Sequence, residues 1–426
     1  MAVLTPSVSG DLAASWDEFC FRYLSRRSGD AELLHEVIEA EPDLAVARAT
    51  AALLAAVGGD ESFDANAEAE AAGAGRAPQE WERSFVDAAI RTVERGMWSA
   101  YDDWQRHAEA FPGDLVAFDI AGFLITTSTH PNMFERVEEL VRRTGDAVGE
   151  HVSVLGYEAM LRQEQGRLEE AHRLARRCLE LDPPGSDGAH PLAHVYFESG
   201  DHAEGLAFLD GWLPITDQDS RFTTHLVWHA ALHELQLGRG EAAVERYRIC
   251  GGRRGPSDGT SLLWRCQLLN HVVPGTDPGS PTMAEVVAPY VERVPFTFVG
   301  AHVAIGLATA GDSDGLRRFA RSAVELATPG AAELLPGLAL GFAAYVEGDY
   351  DAASDHLLRL ADDFVRLGGS HAQREVFEDT LIHALTRAGR LDEAAVLIRI
   401  RLDRRPSPID SALLNRTRSP LRPPSE

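Results

Sequence analysis

One pattern recurs along this chain and leaves little freedom for its fold: a helical run, a short turn containing glycine, acidic residues, then alanine. It reads Gln165-Gly166-Arg167-Leu168-Glu169-Glu170-Ala171 and returns as Ser199-Gly200-Asp201-His202-Ala203-Glu204-Gly205. Further copies are Gly238-Arg239-Gly240-Glu241-Ala242-Ala243, Glu347-Gly348-Asp349-Tyr350-Asp351-Ala352-Ala353 and Ala388-Gly389-Arg390-Leu391-Asp392-Glu393-Ala394. Glycine takes the left-handed backbone that ends one helix, and a small alanine lets the next helix return close beside it. Gly166, Gly200 and Gly389 are therefore predicted to have positive φ.

The flanking segments carry helical periodicity, as in the stripe Leu168, Ala171, Leu174, Ala175, Cys178 and Leu179, whereas alternating strand patterns are nearly absent. Gly166 to Gly200 is a step of 34 residues and Gly200 to Gly238 one of 38. The first is the period of a tetratricopeptide hairpin, and the second makes the array degenerate. The fold class expected is all-α, a tetratricopeptide-like superhelical solenoid of antiparallel helix hairpins, with at least five hairpins in residues 150–400. An ordinary helical bundle without repeats is the competing arrangement. Residues 81–95 and 99–111 read as a further hairpin about Gly96-Met97-Trp98, and residues 57–79 as a solvated loop-helix segment. Gly/Pro-rich stretches at 251–260 and 273–282 interrupt the array. The expected division is a tail over 1–14, one repeat domain over 15–403, and a mobile Pro/Arg-rich tail over 404–426, because prolines at 406, 408, 420, 423 and 424 cannot continue a helix.

With 40 basic against 66 acidic residues, the net charge of −26 repels phosphate backbones and anionic lipid, so neither nucleic acid nor membrane is an expected partner. No run of about 18 apolar residues is present to span a bilayer. The N-terminus lacks a basic region and reaches Asp11 before a signal-like core forms. Cys20, Cys178, Cys250 and Cys266 are scattered without a C-x-x-C pair, which points to reduced thiols, no thiolate metal site and a cytoplasmic setting.

Two H-x-x-x-H pairs, His190 with His194 and His225 with His229, each place two imidazoles on one helix face. Both pairs precede a turn glycine, so they belong to the first helices of consecutive hairpins, the helices that line a concave surface. Four histidines are expected to meet there. Imidazole suits a divalent transition metal, and an i, i+4 pair can chelate one. Pro191 makes His190 a helix-cap residue, which weakens the first chelate. Otherwise these side chains are polar lining satisfied by backbone or water. No G-x-x-x-x-G-K-[ST], G-x-S-x-G or H-E-x-x-H occurs, leaving phosphate-loop, hydrolase-elbow and zincin chemistry unsupported. Gly368-Gly369-Ser370 before a helix reads either as an anion-binding turn or, more simply, as a cap with Ser370 at the N-cap.

The segment Leu367-Gly368-Gly369-Ser370-His371-Ala372-Gln373-Arg374, continuing to His383-Ala384, resembles the tetratricopeptide repeat protein 38 family. So do His190-Pro191-Leu192-Ala193-His194, His225 through Trp228-His229, and Gly300-Ala301-His302. The resemblance runs from about residue 15 to 411 and implies a tetratricopeptide superhelix. It singles out His190, His194, His225, His229, His302 and His383 among 16 histidines. Family members carry another histidine two residues beyond the second, where this chain has Tyr196.

Two functions follow. In one, an enclosed pocket binds, and can chemically transform, a small anionic ligand: His194, His225, His229 and His383 are the acid/base candidates, since imidazole titrates near pH 6.5. His190, Trp228, His302, Gln373 and Arg374 line the ligand in this reading, Arg374 as a bidentate anion clamp. In the other, the groove binds a peptide or protein partner without catalysis. Closure of the superhelix, bringing Gln373 and Arg374 to face the histidine pairs, favours the pocket; an open groove favours the module.

Overall fold

The computed structural model describes residues 3–8, 10, 12–58, 60–220, 222–250, 256–271 and 282–418. Helices follow one another throughout. The N-terminal third holds α1 (Leu12–Leu24), α2 (Asp30–Ala40), α3 (Ala45–Gly58), α4 (Ala65–Ala74), α5 (Glu80–Arg95), α6 (Tyr101–Ala110), α7 (Leu115–Thr127) and α8 (Met133–Val148). Next come α9 (Val152–Glu164), α10 (Leu168–Leu181), α11 (Ser186–Ser199), α12 (His202–Trp212), α13 (Thr223–Gln236), α14 (Gly240–Cys250), α15 (Ser257–Leu268) and α16 (Met283–Val291). The last part holds α17 (Thr297–Thr309), α18 (Ser313–Ser322), α19 (Ala331–Glu347), α20 (Tyr350–Leu358), α21 (His371–Arg387), α22 (Leu391–Arg404) and α23 (Pro408–Arg418). Among the described residues the one extended pairing is an isolated bridge between Leu44 and Arg76.

Antiparallel pairs α9/α10, α11/α12, α13/α14, α17/α18, α19/α20 and α21/α22 stack on one another, an all-α tetratricopeptide-like solenoid. The hairpin chemistry is visible in α10: Glu169 and Glu170 fill its first turn, and Ala171, Ala175 and Cys178 form the buried stripe, favourable at a helix N-terminus and for close approach respectively. Gly166, Gly200 and Gly389 all have positive φ (73°, 82° and 77°). Gly200 needs this twice over, since a Cβ there would also stand 2.9 Å from Pro406.

The superhelix closes on itself. Arg27 pairs with Asp182 at 2.5 Å, and Ser28 donates from its backbone and its hydroxyl to Asp217, each at 2.7 Å. Trp98 donates to the Pro295 carbonyl at 2.9 Å, and the rings of Phe123 and Phe296 meet edge to face at 5.5 Å. From the C-terminal side, Arg374 on α21 reaches Glu164 at the end of α9 at 2.8 Å. Bonds cross the interior between first helices: Trp264 on α15 donates to Thr380 on α21, and Arg265 to the Ala372 carbonyl.

Three sequence expectations need correction. Residues 404–418 are not a free tail: Arg405 is fully buried with Glu375 at 2.5 Å, Ser407 and Asp410 are buried, and Pro408 opens α23. Proline suits a first helical position, where its missing N–H has no partner to lose. Residues 419–426 lie outside the described part. At the other end, Leu4 donates to the Gly113 carbonyl and Ser7 to Glu82, so residues 4–8 are docked and α1 starts at Leu12. Finally, α11 begins four residues before His190 and carries Pro191 inside it; His190 is a helix-face residue, not a cap. Residues 251–255 and 273–281 of the two Gly/Pro-rich stretches lie outside the described residues, but Pro256 caps α15 and 257–260 form its start.

Candidate functional site

The repeat sets two histidine pairs in register. His190 and His194 share one face of α11, and His225, 35 residues beyond His190, shares a face of α13 with His229. Their Nε2 atoms converge. His194 approaches His190 at 3.0 Å, His190 approaches His225 at 3.1 Å, and His225 approaches His229 at 3.2 Å. One ring nitrogen from each of His190, His194 and His229 lies within 4.8 Å of the others. His194 and His229 are wholly buried, whereas His190 and His225 are partly exposed and form the open side.

The surroundings fix these rings. The Asp258 carboxylate on α15 accepts from Nδ1 of His225, with both oxygens at 3.1 Å; in the neutral ring that tautomer puts the lone pair on Nε2. Trp228 stacks on His225 at 5.3 Å and 15° while its indole N–H donates to Ser261; Phe222 stands edge-on to His190 and His225. Burial, then the neighbouring imidazoles, pulls His190 and His229 well below the usual histidine range. Burial also takes His194 down to about 3, against the opposing charge of Glu164. These three rings are neutral at pH 7. A ring kept from water has no cheap way to carry charge, so these three are weaker bases than a free imidazole.

The remaining candidates divide. Arg374 is buried and already committed, to Glu164 at 2.8 Å and to the Gly369 carbonyl; the ion pair, with His371, flanks His194 electrostatically. Burial opposes ionisation of Glu164, but the Arg374 guanidinium and His371 hold its carboxyl at about 2. An anion seeking Arg374 would have to displace that carboxylate. Gln373 closes a capping box with Ser370, its side-chain oxygen accepting the Ser370 N–H at 3.0 Å, so it serves the helix start and the Gly-Gly-Ser turn is a cap. His302 is buried, donating from Nδ1 to the Phe298 carbonyl at 2.8 Å; it reaches the cluster's edge electrostatically through Asp258. His383 bonds Tyr345 and lines a separate cavity with Phe197, Arg265, Arg401 and Ile409. Burial brings both histidines to about 4.

Sequence reasoning missed Asp258, which lies in a stretch read as linker. Its signal was its place at a helix start, 33 residues after His225, close to one repeat. It also missed the buried pair His202 and His233, whose Nδ1 atoms stand 3.2 Å apart.

Residues 163–224, spanning α10 to the start of α13, match the family model described as tetratricopeptide repeat. The matched model describes the repeat, not the narrower family that the 367–374 segment resembles. Solved structures with similarity include a tetratricopeptide repeat protein from Parabacteroides merdae ATCC 43184, with 12% identity, TM-score 0.31, and coverage of 75% of this chain and 99% of that one. Yeast Tom70 gives 13% identity, TM-score 0.37 and coverage of 95% and 86%. A chain of the Naa15/Naa10 complex bound to HypK-THB gives 13% identity and TM-score 0.23, with 96% of this chain against 65% of that one. The chain is a tetratricopeptide-like helical-repeat protein, with the repeat itself matched over residues 163–224.

Proposed function

We propose that this chain is a non-catalytic binding module of the tetratricopeptide class, and that the imidazole cluster between α11 and α13 is where its ligand is fixed. The observation that carries this reading is the run of Nε2 contacts at 3.0–3.2 Å from His194 through His190 and His225 to His229, with His190 and His225 partly exposed. A reading in which the pocket transforms an anionic ligand has less support: Arg374 is neutralised by Glu164, and the buried histidines lie far below the range of acid/base catalysis at neutral pH. The partial exposure of His190 and His225 favours a small molecule, an ion or a short protruding segment of a partner as the occupant. A peptide or protein partner is favoured by the repeat class itself, whose first helices commonly serve recognition. We further assign the chain to the tetratricopeptide repeat protein 38 family on its Leu-Gly-Gly-Ser segment and paired histidines, and to the cytoplasm on its scattered cysteines, of which Cys178 and Cys266 are buried free thiols.

The test is native mass spectrometry of full-length protein purified without a polyhistidine tag, beside His229→Ala. A mass retained by the wild type and lost in the variant, at equal helical circular dichroism, supports the assignment. Equal retention in both, or none in either under saturating metal and cell extract, overturns it.

A further inference from the structure

We infer that the ligand of this cluster is a single divalent transition-metal ion, held by the Nε2 atoms of His190, His194, His225 and His229, with Asp258 as the carboxylate that orients His225. This rests on the binding role proposed above and names its ligand class.

The argument begins with what imidazole nitrogens can do. Each Nε2 has one in-plane function, either an N–H or a lone pair, so it can take part in one good hydrogen bond. Here the Nε2 of His190 lies close to two others, at 3.0 and 3.1 Å, and that of His225 to two, at 3.1 and 3.2 Å. Four nitrogens can form at most two separate hydrogen bonds, so three such contacts exceed what proton sharing satisfies. One cation placed among them satisfies all four lone pairs. The spacing of successive pairs, 3.0–3.2 Å, is that of neighbouring ligands on one ion: with metal–nitrogen bonds of about 2.0–2.1 Å, ligand nitrogens stand about 3.3 Å apart in a tetrahedron and about 3.0 Å apart at right angles. One nitrogen each of His190, His194 and His229 lies within 4.8 Å of the others, and His225 adjoins them.

The type of ion follows from the donors. Neutral nitrogen ligands favour zinc, copper, nickel or iron over magnesium or calcium, which take oxygen. The carboxylate behind His225 is the usual outer partner of a metal-bound histidine, fixing the tautomer and ring angle. Phe222 and Trp228 wall the site. The ion would bridge α11 and α13 and, through Asp258, α15, tying successive repeats at their inner face.

The experiment uses the full chain without a polyhistidine tag, stripped with EDTA and titrated separately with Zn²⁺ and Co²⁺. Zinc is counted by inductively coupled plasma mass spectrometry, and cobalt is followed by its visible absorption. About one equivalent of Zn²⁺ per chain is expected, with nitrogen-ligand cobalt bands. His194→Gln and His229→Gln, which keep a polar side chain of similar size, should lose both signals at unchanged helicity. Asp258→Asn should weaken affinity about 10- to 100-fold, and Asp258→Glu should restore part of it. His383→Ala, in another cavity, should bind like the wild type. Wild type that binds no more metal than His229→Gln overturns the inference, as does a cobalt spectrum indifferent to His194→Gln. If an organic or peptide mass is retained through the cluster while no metal is, the metal assignment falls and the binding role stands; if nothing depends on the cluster, both fall.

Discussion

Two polar interiors of this molecule are built on opposite principles. Around Glu375, acids and bases are matched: Arg405 lies at 2.5 Å and Arg404 at 2.8 Å, and the nearby Arg401 is shared with Asp379 at 2.6 Å and Asp410 at 3.1 Å. Burial opposes ionisation of Glu375, yet the guanidiniums hold its carboxyl well below the usual range. Between α11 and α13 the side chains are all of one kind, and Asp258 is the carboxylate that receives one of them. The first interior pairs carboxylates with guanidiniums and fastens the C-terminal helix. The second sets imidazole against imidazole, with Nε2 atoms 3.0–3.2 Å apart along the run.

The largest effect expected on the matched side comes from Glu375→Ala, which strands buried guanidiniums. It should cost about 3–5 kcal/mol, read by urea denaturation, and detach α23; a loss below about 1 kcal/mol would show that water enters the network readily. Next is the ion pair flanking the cluster. The Glu164 carboxyl at about 2 lies below its unfolded value near 4.3, so the folded state binds the proton less well. Its contribution is therefore full above pH 4.3 and lost as pH falls toward 2, by about 3 kcal/mol in all. Glu164→Gln should flatten that acid limb in denaturation measured across this range; an unchanged limb would count against the pairing with Arg374.

Gly200→Val probes the junction between the hairpin turn and the C-terminal segment. With φ at 82° and Pro406 2.9 Å from the added Cβ, it should destabilise by about 1–2 kcal/mol from left-handed strain alone. An unchanged melting midpoint would remove the assignment. The smallest effect is expected at the cluster itself in metal-free protein: His229→Leu should change stability by less than about 1 kcal/mol, since it trades an unsatisfied buried nitrogen for an apolar group of similar size. A loss like that of Glu375→Ala would mean that the two interiors are built alike after all.

Much of the fold was legible because its signals are local. The turn glycines at 166, 200 and 389 report a backbone conformation that side chains rarely adopt, and the alanines after them report close helix approach. Half the site was legible for the same reason, as i, i+4 spacing fixes a helix face and hairpin period fixes which faces adjoin. Other features were not. Asp258 was hidden in a Gly/Pro-rich stretch because its role depends on α15 lying beside α13. Arg374 looked like a free anion clamp because Glu164, 210 residues away, is brought to it by closure of the superhelix. The tail beyond Arg404 looked mobile because proline content is a local signal, whereas Arg405 is fixed by the distant Glu375.

By itself, then, the sequence determined the helical hairpins, their order and the sharing of one helix face by each histidine pair, since each follows from residues within about one repeat of one another. Tertiary structure alone decided which polar groups are neutralised and which remain available. That depends on curvature summed over many repeats, and a small change per hairpin moves distant side chains together or apart.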